Sequence, residues 1–357
     1  MTGKIELKPG RRPPNIGNTR PPGLERLFRG KAANLLPDML AMVFSICGHA
    51  HRLTARRAID AARGRLTPLA AADADQLRWQ TAREQTRRIA WDWPALMAPK
   101  LEARQAPPQP LFPPLNDTGP SLSALTAWVE RDIFGQSAER WSEAFQSDGT
   151  RWLQQWADGG ATTTARLLRS CGDAARTLTL DGRPLRLQRD DAAQLRLARL
   201  LSEREADLFV RSPTTAEGFA ETGAWTRHLD PLCGGYSNVW MRLGARLLDL
   251  AKLCHADYGA SWLCCGGAKT GPNEGLAWTE TARGLLIHWV RLDHDQVEDC
   301  RVLAPTDWNF HPSGLVAQAL SALPADERGR HPTDLLLSVF DPCAPYDVDL
   351  QPEPALA

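Results

Sequence analysis

The chain has 357 residues, and its 42 Lys and Arg balance its 42 Asp and Glu. A formal charge of zero gives no global reason to expect binding to nucleic acid or to an anionic membrane. With 43% hydrophobic and 24% charged residues the composition is that of a globular chain, and eight cysteines are too few to staple a chain of this length with disulfides.

Residues 1–30 are rich in arginine, lysine and proline and contain no continuous apolar stretch. Such a segment cannot pack a core of its own, so we predict a flexible, basic, Pro-rich arm ahead of a single domain over 31–357. An ordinary disordered terminus is the alternative. Because no window reaches the ~20 apolar residues of a membrane span and no signal-peptide core is present, we expect a cytoplasmic protein with reduced thiols and neither a membrane nor a nucleic-acid partner.

Helical periodicity dominates the rest of the chain. Apolar residues fall at helical spacing over 35–64, with a break at Cys47-Gly48, and a second helix is predicted over 70–91, stopped by Pro94. Prolines concentrated over 104–120 predict a loop. Further helices are predicted over 161–170, 190–203, 236–256 and 334–340.

Two hairpins are predicted from turn residues between strand-like runs. The first covers 177–187 around Asp181-Gly182, and the second joins 284–292 to 296–304 through Asp293-His294-Asp295. The predicted fold class is therefore mainly α, of the α+β kind, with a helical core and peripheral β-hairpins.

None of the eight cysteines has the C-x-x-C spacing of a structural zinc site or a ferredoxin-type cluster. Cys264 and Cys265 precede two glycines and remain candidates for a metal site. Cys47 and Cys343 lie beside turn residues at predicted helix ends, where side chains can converge, and are candidates for a metal or catalytic role. We expect the other four to be small buried hydrophobic residues: Cys171, Cys233, Cys254 and Cys300.

Three parts of the chain resemble motifs of the nickel–iron hydrogenase large subunit. Residues 45–53, SICGHAHRL, are similar to the family's R-x-C-G-x-C-x-x-x-H. Residues 279–289, TETARGLLIHW, and 297–309, VEDCRVLAPTDWN, are similar to T-E-A-P-R-G-A-L-G-H-W and to a strand that ends in P-T-x-W-N. Residues 340–349, FDPCAPYDVD, are similar to D-P-C-x-x-C-x-x-H. The resemblance implies a shortened, degenerate large-subunit fold.

The departures from the family pattern change the chemistry that it implies. In the family, the first cysteine of each pair is a terminal nickel ligand and the second bridges nickel and iron. Here Ala50 stands near the first bridging position, Tyr346 occupies the second, and Asp349 replaces the histidine after which a C-terminal extension is cleaved. With both bridging thiolates missing, a complete nickel–iron centre and bound nickel are not expected. Because that histidine is missing, the resemblance implies no C-terminal processing either.

A degenerate large subunit that keeps one cysteine of each pair is similar to hydrogenase maturation proteins of the HupK/HoxV type. The resemblance implies a non-enzymatic scaffold that holds the Fe(CN)2CO fragment transiently. Cys47 and Cys343 would bind the iron, and Arg283 would offer its guanidinium to the cyanide ligands. Asp341 would orient that arginine or the backbone. His51 would hydrogen-bond a cysteine sulfur, and a packed or helix-capping histidine is the alternative. The implied partners are a hydrogenase large-subunit precursor, a small maturation chaperone and the machinery that makes the cyanide and CO ligands.

Two alternatives stay open on the sequence. One is a metalloenzyme with a reduced hydrogenase-like metal site, which the missing bridging cysteines disfavour. The other is a metal-free chaperone that mimics the large subunit, which predicts full function without either cysteine. In addition, the retained cysteine positions ligate nickel in the enzymes, so a scaffold would have to hold iron differently or with help from His49 or His51.

Overall fold

Helices form most of the architecture. The computed structural model describes residues 3–21, 23–98, 121–188, 190–227, 236–257 and 262–351. Its α-helices are α1 (Leu36–Val43), α2 (Gly48–Ala62), α3 (Ala71–Arg87), α4 (Trp93–Met97), α5 (Leu122–Trp128), α6 (Ala138–Ser147), α7 (Gly149–Gly159), α8 (Thr163–Thr177), α9 (Asp191–Ser202), α10 (Ala206–Arg211), α11 (Ala224–Arg227), α12 (Val239–Cys254), α13 (Pro305–Asn309), α14 (Leu315–Ser321) and α15 (Arg330–Phe340).

The described part of the chain also contains two β-sheets. The larger sheet is antiparallel, in the order β3 (Cys265–Gly271), β4 (Glu274–Thr281), β5 (Gly284–Asp293) and β6 (Gln296–Leu303). The smaller has β1 (Ile5–Leu7) at its centre, between antiparallel β2 (Ile16–Asn18) and parallel β7 (Tyr346–Val348). The predicted fold class, mainly α with peripheral hairpins, is thus confirmed. Helices form most of the described chain, and the strands are confined to 265–303 and to short segments near the two ends.

Helix α2 lies directly across β4 and β5. The close approach requires Gly275, because a Cβ there would lie 2.1 Å from the carbonyl oxygen of Ala58 and 2.5 Å from the amide nitrogen of Ala62. The contact lies at the last turns of α2, whereas Cys47 lies at the opposite end of that helix and Arg283 follows the opposite end of β4.

Helix α12 runs through the core and is buried on all sides except at Lys252. It packs against α3, α6, α8 and α15. A helix that is buried on all sides is usually apolar around its whole circumference. Helix α12 nevertheless carries three buried charged residues: Arg242, Arg246 and Asp249. Each therefore needs a partner inside the protein, and these partners connect α12 to the candidate site.

The N-terminal segment differs from the flexible arm predicted over 1–30. Strand β1 pairs with β7 in register Ile5↔Tyr346, and Ile5, Leu7 and Ile16 are buried. The prediction of a flexible arm is wrong for the described part of this segment, because its few apolar residues alternate on one face and bury against residues from the far end of the chain.

Helix α1, a 3-10 turn at Ser45–Cys47 and α2 confirm the predicted interruption at Cys47-Gly48. No single described helix is long and apolar enough to cross a membrane. The pair Ala33–Val43 and Ser45–Ala62 meets the criteria of length and composition only when taken together, and it is bent by 107°.

The second predicted hairpin is confirmed by β5 and β6, with His294 at φ 52° in the turn between them. The first, over 177–187, is wrong. Its residues pair with other parts of the chain: the Leu180 amide donates to the Ser237 carbonyl at 2.7 Å, and the Leu185 amide donates to the Glu221 carbonyl at 2.8 Å. The Asp181-Gly182 turn signal was local, whereas these partners are distant in sequence.

Pro94 does not end the second helix as predicted. A π-helical turn, Arg88–Asp92, connects α3 to α4, and Pro94 lies in the first turn of α4, directly after this change in helical geometry. Helices α6 and α7 were not predicted. The Pro-rich loop predicted over 104–120 lies outside the described residues, and so does Cys233.

Candidate functional site

Cys47 lies at the point where the 3-10 turn passes into α2. Its amide donates to the Phe44 carbonyl at 3.2 Å, and its side chain is half-buried. Burial raises the pKa of the Cys47 thiol to about 12, and the neighbouring Cys343 adds to the rise, whereas Arg283 opposes it. The fold therefore brings the two cysteines, from opposite ends of the sequence, close enough to interact electrostatically with each other and with Arg283.

Cys343 is held by Thr306. The Thr306 hydroxyl donates to the Cys343 sulfur at 3.1 Å, and the Cys343 amide donates to the same hydroxyl oxygen at 3.1 Å. Thr306 lies in the first turn of α13, directly after β6. Because the hydroxyl contacts both the sulfur and the backbone of one residue, it fixes the orientation of this thiol. The site reasoning from sequence missed Thr306, although the P-T-x-W-N resemblance includes it.

Arg283 lies in the turn between β4 and β5 and forms two ion pairs. Its Nε lies 3.2 Å from Asp341 Oδ2, and its Nη1 donates to Glu84 Oε2 at 3.3 Å. Burial by itself would lower the pKa of Arg283, but Asp341, Glu84 and the thiols of Cys47 and Cys343 raise it. Arg283 is therefore in contact with Asp341 and interacts electrostatically with both candidate cysteines.

Asp341 is the centre of a cluster of arginines. Its Oδ1 lies 3.2 Å from Arg88 Nη1, and its Oδ2 lies 3.2 Å from Arg246 Nη2 as well as near Arg283. Burial alone would raise the pKa of Asp341, but these three positive charges outweigh it and hold the pKa below its usual value. The residue ends α15 in the left-handed region, at φ 45°, which turns the chain toward Cys343.

A second group of buried polar residues continues from this cluster through α12. Arg246 Nη1 donates to Gln85 Oε1 at 2.9 Å, and Gln85 Nε2 donates to Asp249 Oδ2 at 2.6 Å. Arg227 then lies 3.6 Å from both Asp249 and Glu280. Burial raises the pKa of Glu280 to about 7, although Arg227 opposes the shift. The site thus rests on a network of buried charges in the helical core.

His51 has a different partner from the one expected. Its Nδ1 lies 3.1 Å from His288 Nε2 rather than on a cysteine sulfur, and its ring stacks on Phe44 with centroids 4.4 Å apart. Burial lowers the pKa of His51 to about 3 and that of His288 well below its usual value. Both rings are therefore neutral near pH 7, and His51 packs α2 on β5. His49 interacts electrostatically with Asp73, Arg52 and Arg56.

The remaining cysteines divide as follows. Cys171, Cys254 and Cys300 are buried, as predicted. Cys265 begins β3, and its sulfur lies 3.4 Å from the Thr279 hydroxyl on the neighbouring strand, so Cys264 and Cys265 belong to the sheet edge. Across the described ranges, no group of three or more His, Cys, Asp or Glu side chains is arranged to hold a metal ion.

The positions where the hydrogenase pattern has bridging cysteines have structural roles here. Ala50 is buried in the first turn of α2, where its carbonyl accepts the Thr54 hydroxyl at 2.7 Å. Tyr346 begins β7, and the Asp349 amide donates to the Leu7 carbonyl at 2.8 Å. The segment after Cys343 is therefore part of the small sheet.

Comparison with known proteins places this geometry in a family. Residues 266–344 match the family model for nickel-dependent hydrogenase. The chain is 36% identical to the hydrogenase expression/formation protein HoxV of Cupriavidus necator, over 98% of this chain and 96% of that protein. The chain belongs to the HoxV/HupK family of hydrogenase expression/formation proteins. It is also 30% identical to HupK of Bradyrhizobium diazoefficiens, over 93% of this chain and 91% of that one.

The fold of this HoxV/HupK family member is that of a hydrogenase large subunit. A crystal structure of an NAD+-reducing [NiFe]-hydrogenase in the H2-reduced state superposes with a TM-score of 0.56 at 14% sequence identity, covering 92% of this chain and 91% of that one. The resemblance found in the sequence motifs, and the degenerate large-subunit fold it implies, are confirmed.

Proposed function

We propose that this HoxV/HupK family member is a non-enzymatic scaffold of hydrogenase formation that holds the Fe(CN)2CO fragment between Cys47 and Cys343. The observation that carries the proposal is the convergence of these two thiols and the Arg283 guanidinium, which reach one place from α2, from the end of α15 and from the β4–β5 turn. In this proposal the fragment is cargo, not a resident cofactor.

The donor set suits such cargo. Thiolates are the protein ligands that soft, low-spin iron prefers, and the fragment brings three strong-field ligands of its own, so a pair of thiols suffices. Two cyanides and two thiolates give the bound iron(II) unit a net negative charge. Arg283 supplies a buried positive charge and N–H donors beside both sulfurs, and its contacts with Asp341 and Glu84 hold it in place.

A scaffold must also release its cargo. With two protein ligands instead of the larger set of an enzyme, the fragment can pass to a recipient that offers more thiolates. We propose that the recipient is a hydrogenase large-subunit precursor in the cytoplasm. The fragment would arrive from the machinery that makes cyanide and CO ligands, with a small maturation chaperone as an intermediary.

Infrared spectroscopy tests the proposal. The protein is purified anaerobically from a host that makes the ligands, and we expect cyanide and carbonyl bands in the wild type. Cys47→Ser and Cys343→Ser should each abolish the bands and block maturation of the hydrogenase. Cys171→Ala is the matched control, because this buried thiol on α8 donates to the Leu168 carbonyl and takes no part in the site.

Three outcomes would contradict the proposal. Absence of the bands in the wild type, with all partners present, would show that the protein does not hold the iron fragment. Bound nickel together with hydrogen-dependent dye reduction would indicate a metalloenzyme with a reduced site. Full hydrogenase maturation by a variant lacking both Cys47 and Cys343 would indicate a metal-free mimic of the large subunit.

A further inference from the structure

The N-terminal segment contacts the neighbourhood of Cys343 on its C-terminal side. The Ile5 amide donates to the Pro345 carbonyl at 2.9 Å, and β1 then runs parallel to β7. Ile5 and Leu7 are buried in this contact. The chain that leaves Cys343 is therefore held by residues that the sequence places at the other end of the molecule.

The same segment reaches Cys343 a second time, through Arg20. This residue follows β2, and its Nε donates to Asn18 Oδ1 at 3.1 Å, which directs the guanidinium inward. There it forms an ion pair with Asp307, whose side chain is only 7% exposed. A carboxylate as buried as this needs its counter-charge, so Arg20 and Asp307 act as a unit.

Asp307 connects this ion pair to the residue that holds Cys343. Its Oδ2 accepts the Ala304 amide at 2.8 Å, an N-terminal cap that sets the first turn of α13. Thr306, one residue before Asp307, lies in that turn and makes both hydrogen bonds to Cys343. A displacement of the Asp307 carboxylate would therefore move the Thr306 hydroxyl relative to the sulfur.

The cavity and the charges around Arg20 also relate this residue to the two cysteines. A cavity of about 80 Å³ is lined by Arg20, Asp307 and Phe44, the residue whose carbonyl accepts the Cys47 amide. Asp307 raises the pKa of Arg20 although burial opposes it, and the Cys343 thiol contributes to the rise. Arg20 thus lies at the edge of the cysteine pair and not at a separate surface site.

We propose that Arg20 is a positioning residue for Cys343, acting through Asp307 and the Thr306 hydroxyl. The inference rests on the proposed function, in which Cys343 is a ligand of the iron fragment. It adds that the N-terminal segment is part of the scaffold site: the segment sets where one of the two sulfurs points, and through the Thr306 hydrogen bond it tunes how strongly that sulfur donates to iron.

Hydrogen exchange of the Cys343 amide tests the inference without any metal. This amide donates to the Thr306 hydroxyl, so loss of the alignment should expose it to exchange. In Arg20→Ala we expect the Cys343 amide to exchange about fivefold faster, the factor that corresponds to one typical hydrogen bond. Arg12→Ala is the matched control, because Arg12 is an exposed arginine on the same segment. Unchanged exchange on β4 and β5 shows that the variant is folded.

The route through Asp307 is tested by combining variants. Asp307→Asn keeps a cap for the Ala304 amide but loses the ion pair, and it should accelerate Cys343 exchange as Arg20→Ala does. The double variant should show no further acceleration, since both changes break one chain of contacts. Arg20→Lys keeps the positive charge and should retain most of the protection. Additive effects, or unchanged Cys343 exchange in Arg20→Ala, would overturn the inference.

Infrared spectra of the loaded protein give the second readout. Without the Thr306 donor, the Cys343 thiolate gives more electron density to iron, and iron returns more to CO, so the carbonyl band of Arg20→Ala should shift to lower wavenumber. If wild-type protein shows no bands but Arg20→Ala still accelerates Cys343 exchange, the cargo hypothesis fails while the positioning contact stands. If the bands are present and identical in both proteins, Arg20 does not tune the site.

Discussion

The Asp341 carboxylate lies 3.2 Å from the Arg283 guanidinium, beside both candidate cysteines. The same carboxylate forms ion pairs with Arg246 and Arg88, each at 3.2 Å, in the buried part of the protein. One acidic side chain thus allows three arginines to approach each other. Arg283 therefore depends on that carboxylate for its position as well as for its burial.

We therefore expect Asp341→Asn to destabilise the fold by about 3–5 kcal/mol, the cost of leaving buried charges without a partner. Asparagine tolerates the left-handed backbone at this position, so the change tests the charge and not the turn. Urea denaturation measures the loss in the free energy of unfolding. Asp38→Asn, which breaks the exposed ion pair with Arg52, is the control and should cost much less.

The depressed pKa of Asp341 also predicts a pH dependence. The ionised carboxylate stabilises the folded state, so its contribution is present above the unfolded-state pKa of ~3.9 and is lost as the pH falls through the lower folded-state value. Asp341→Asn should therefore flatten the fall in stability below about pH 4. If the free energy of unfolding falls equally steeply in both proteins at low pH, other carboxylates dominate the acid dependence.

The His51–His288 pair predicts a separate dependence in mildly acidic solution. In the unfolded chain each imidazole takes up a proton near pH ~6.5, whereas folded His51 stays neutral down to about pH 3. The unfolded state then binds more protons, so stability falls as the pH drops from about 6.5. We expect His51→Asn to reduce the slope of the unfolding free energy against pH between these limits.

His294→Asn is the matched control for that measurement. Its ring is exposed in the β5–β6 turn, and asparagine accepts the positive φ found there. The control should leave the slope unchanged. A slope equally reduced in both variants would indicate that the buried pair is not its source.

The raised pKa of Glu280 predicts a pH dependence of stability that has the opposite sign. Burial raises the pKa of its carboxyl to about 7, with Arg227 opposing and Asp249 adding to the shift. Between the unfolded value of ~4.3 and 7, the folded state holds a proton that the unfolded state has lost, so stability falls as the pH rises through this window. Glu280→Gln should remove this component. Glu298→Gln, at an exposed position of β6, should not.

Strand β1 predicts that the N-terminus is part of the folded core. Leu7 is fully buried between β2 and β7. Leu7→Ala should cost about 2–5 kcal/mol in thermal or urea unfolding, because it leaves a cavity in this small sheet. If the segment were instead a flexible arm, the change would fall within about 0.5 kcal/mol, as expected for Arg12→Ala on the same segment.

The sequence by itself determined the features that depend on neighbours along the chain. These features are the helical pattern broken at Cys47-Gly48, the hairpin of β5 and β6, and the family motifs around Cys47, Arg283 and Cys343. Periodicity and turn chemistry act over a few residues, so they are legible in a single sequence. The same locality explains the failed hairpin over 177–187, where a turn signal was overridden by distant partners.

Only the tertiary structure decided the contacts between distant segments. Nothing in the spacing of His51 and His288 indicates that they share a hydrogen bond, and nothing in a short proline-rich N-terminus indicates that Ile5 pairs beside Tyr346 or that Arg20 reaches Asp307. These contacts form because buried polar groups and short strands must find partners wherever the fold supplies them. The sequence thus identified the two candidate cysteines, and the fold determined which residues surround them.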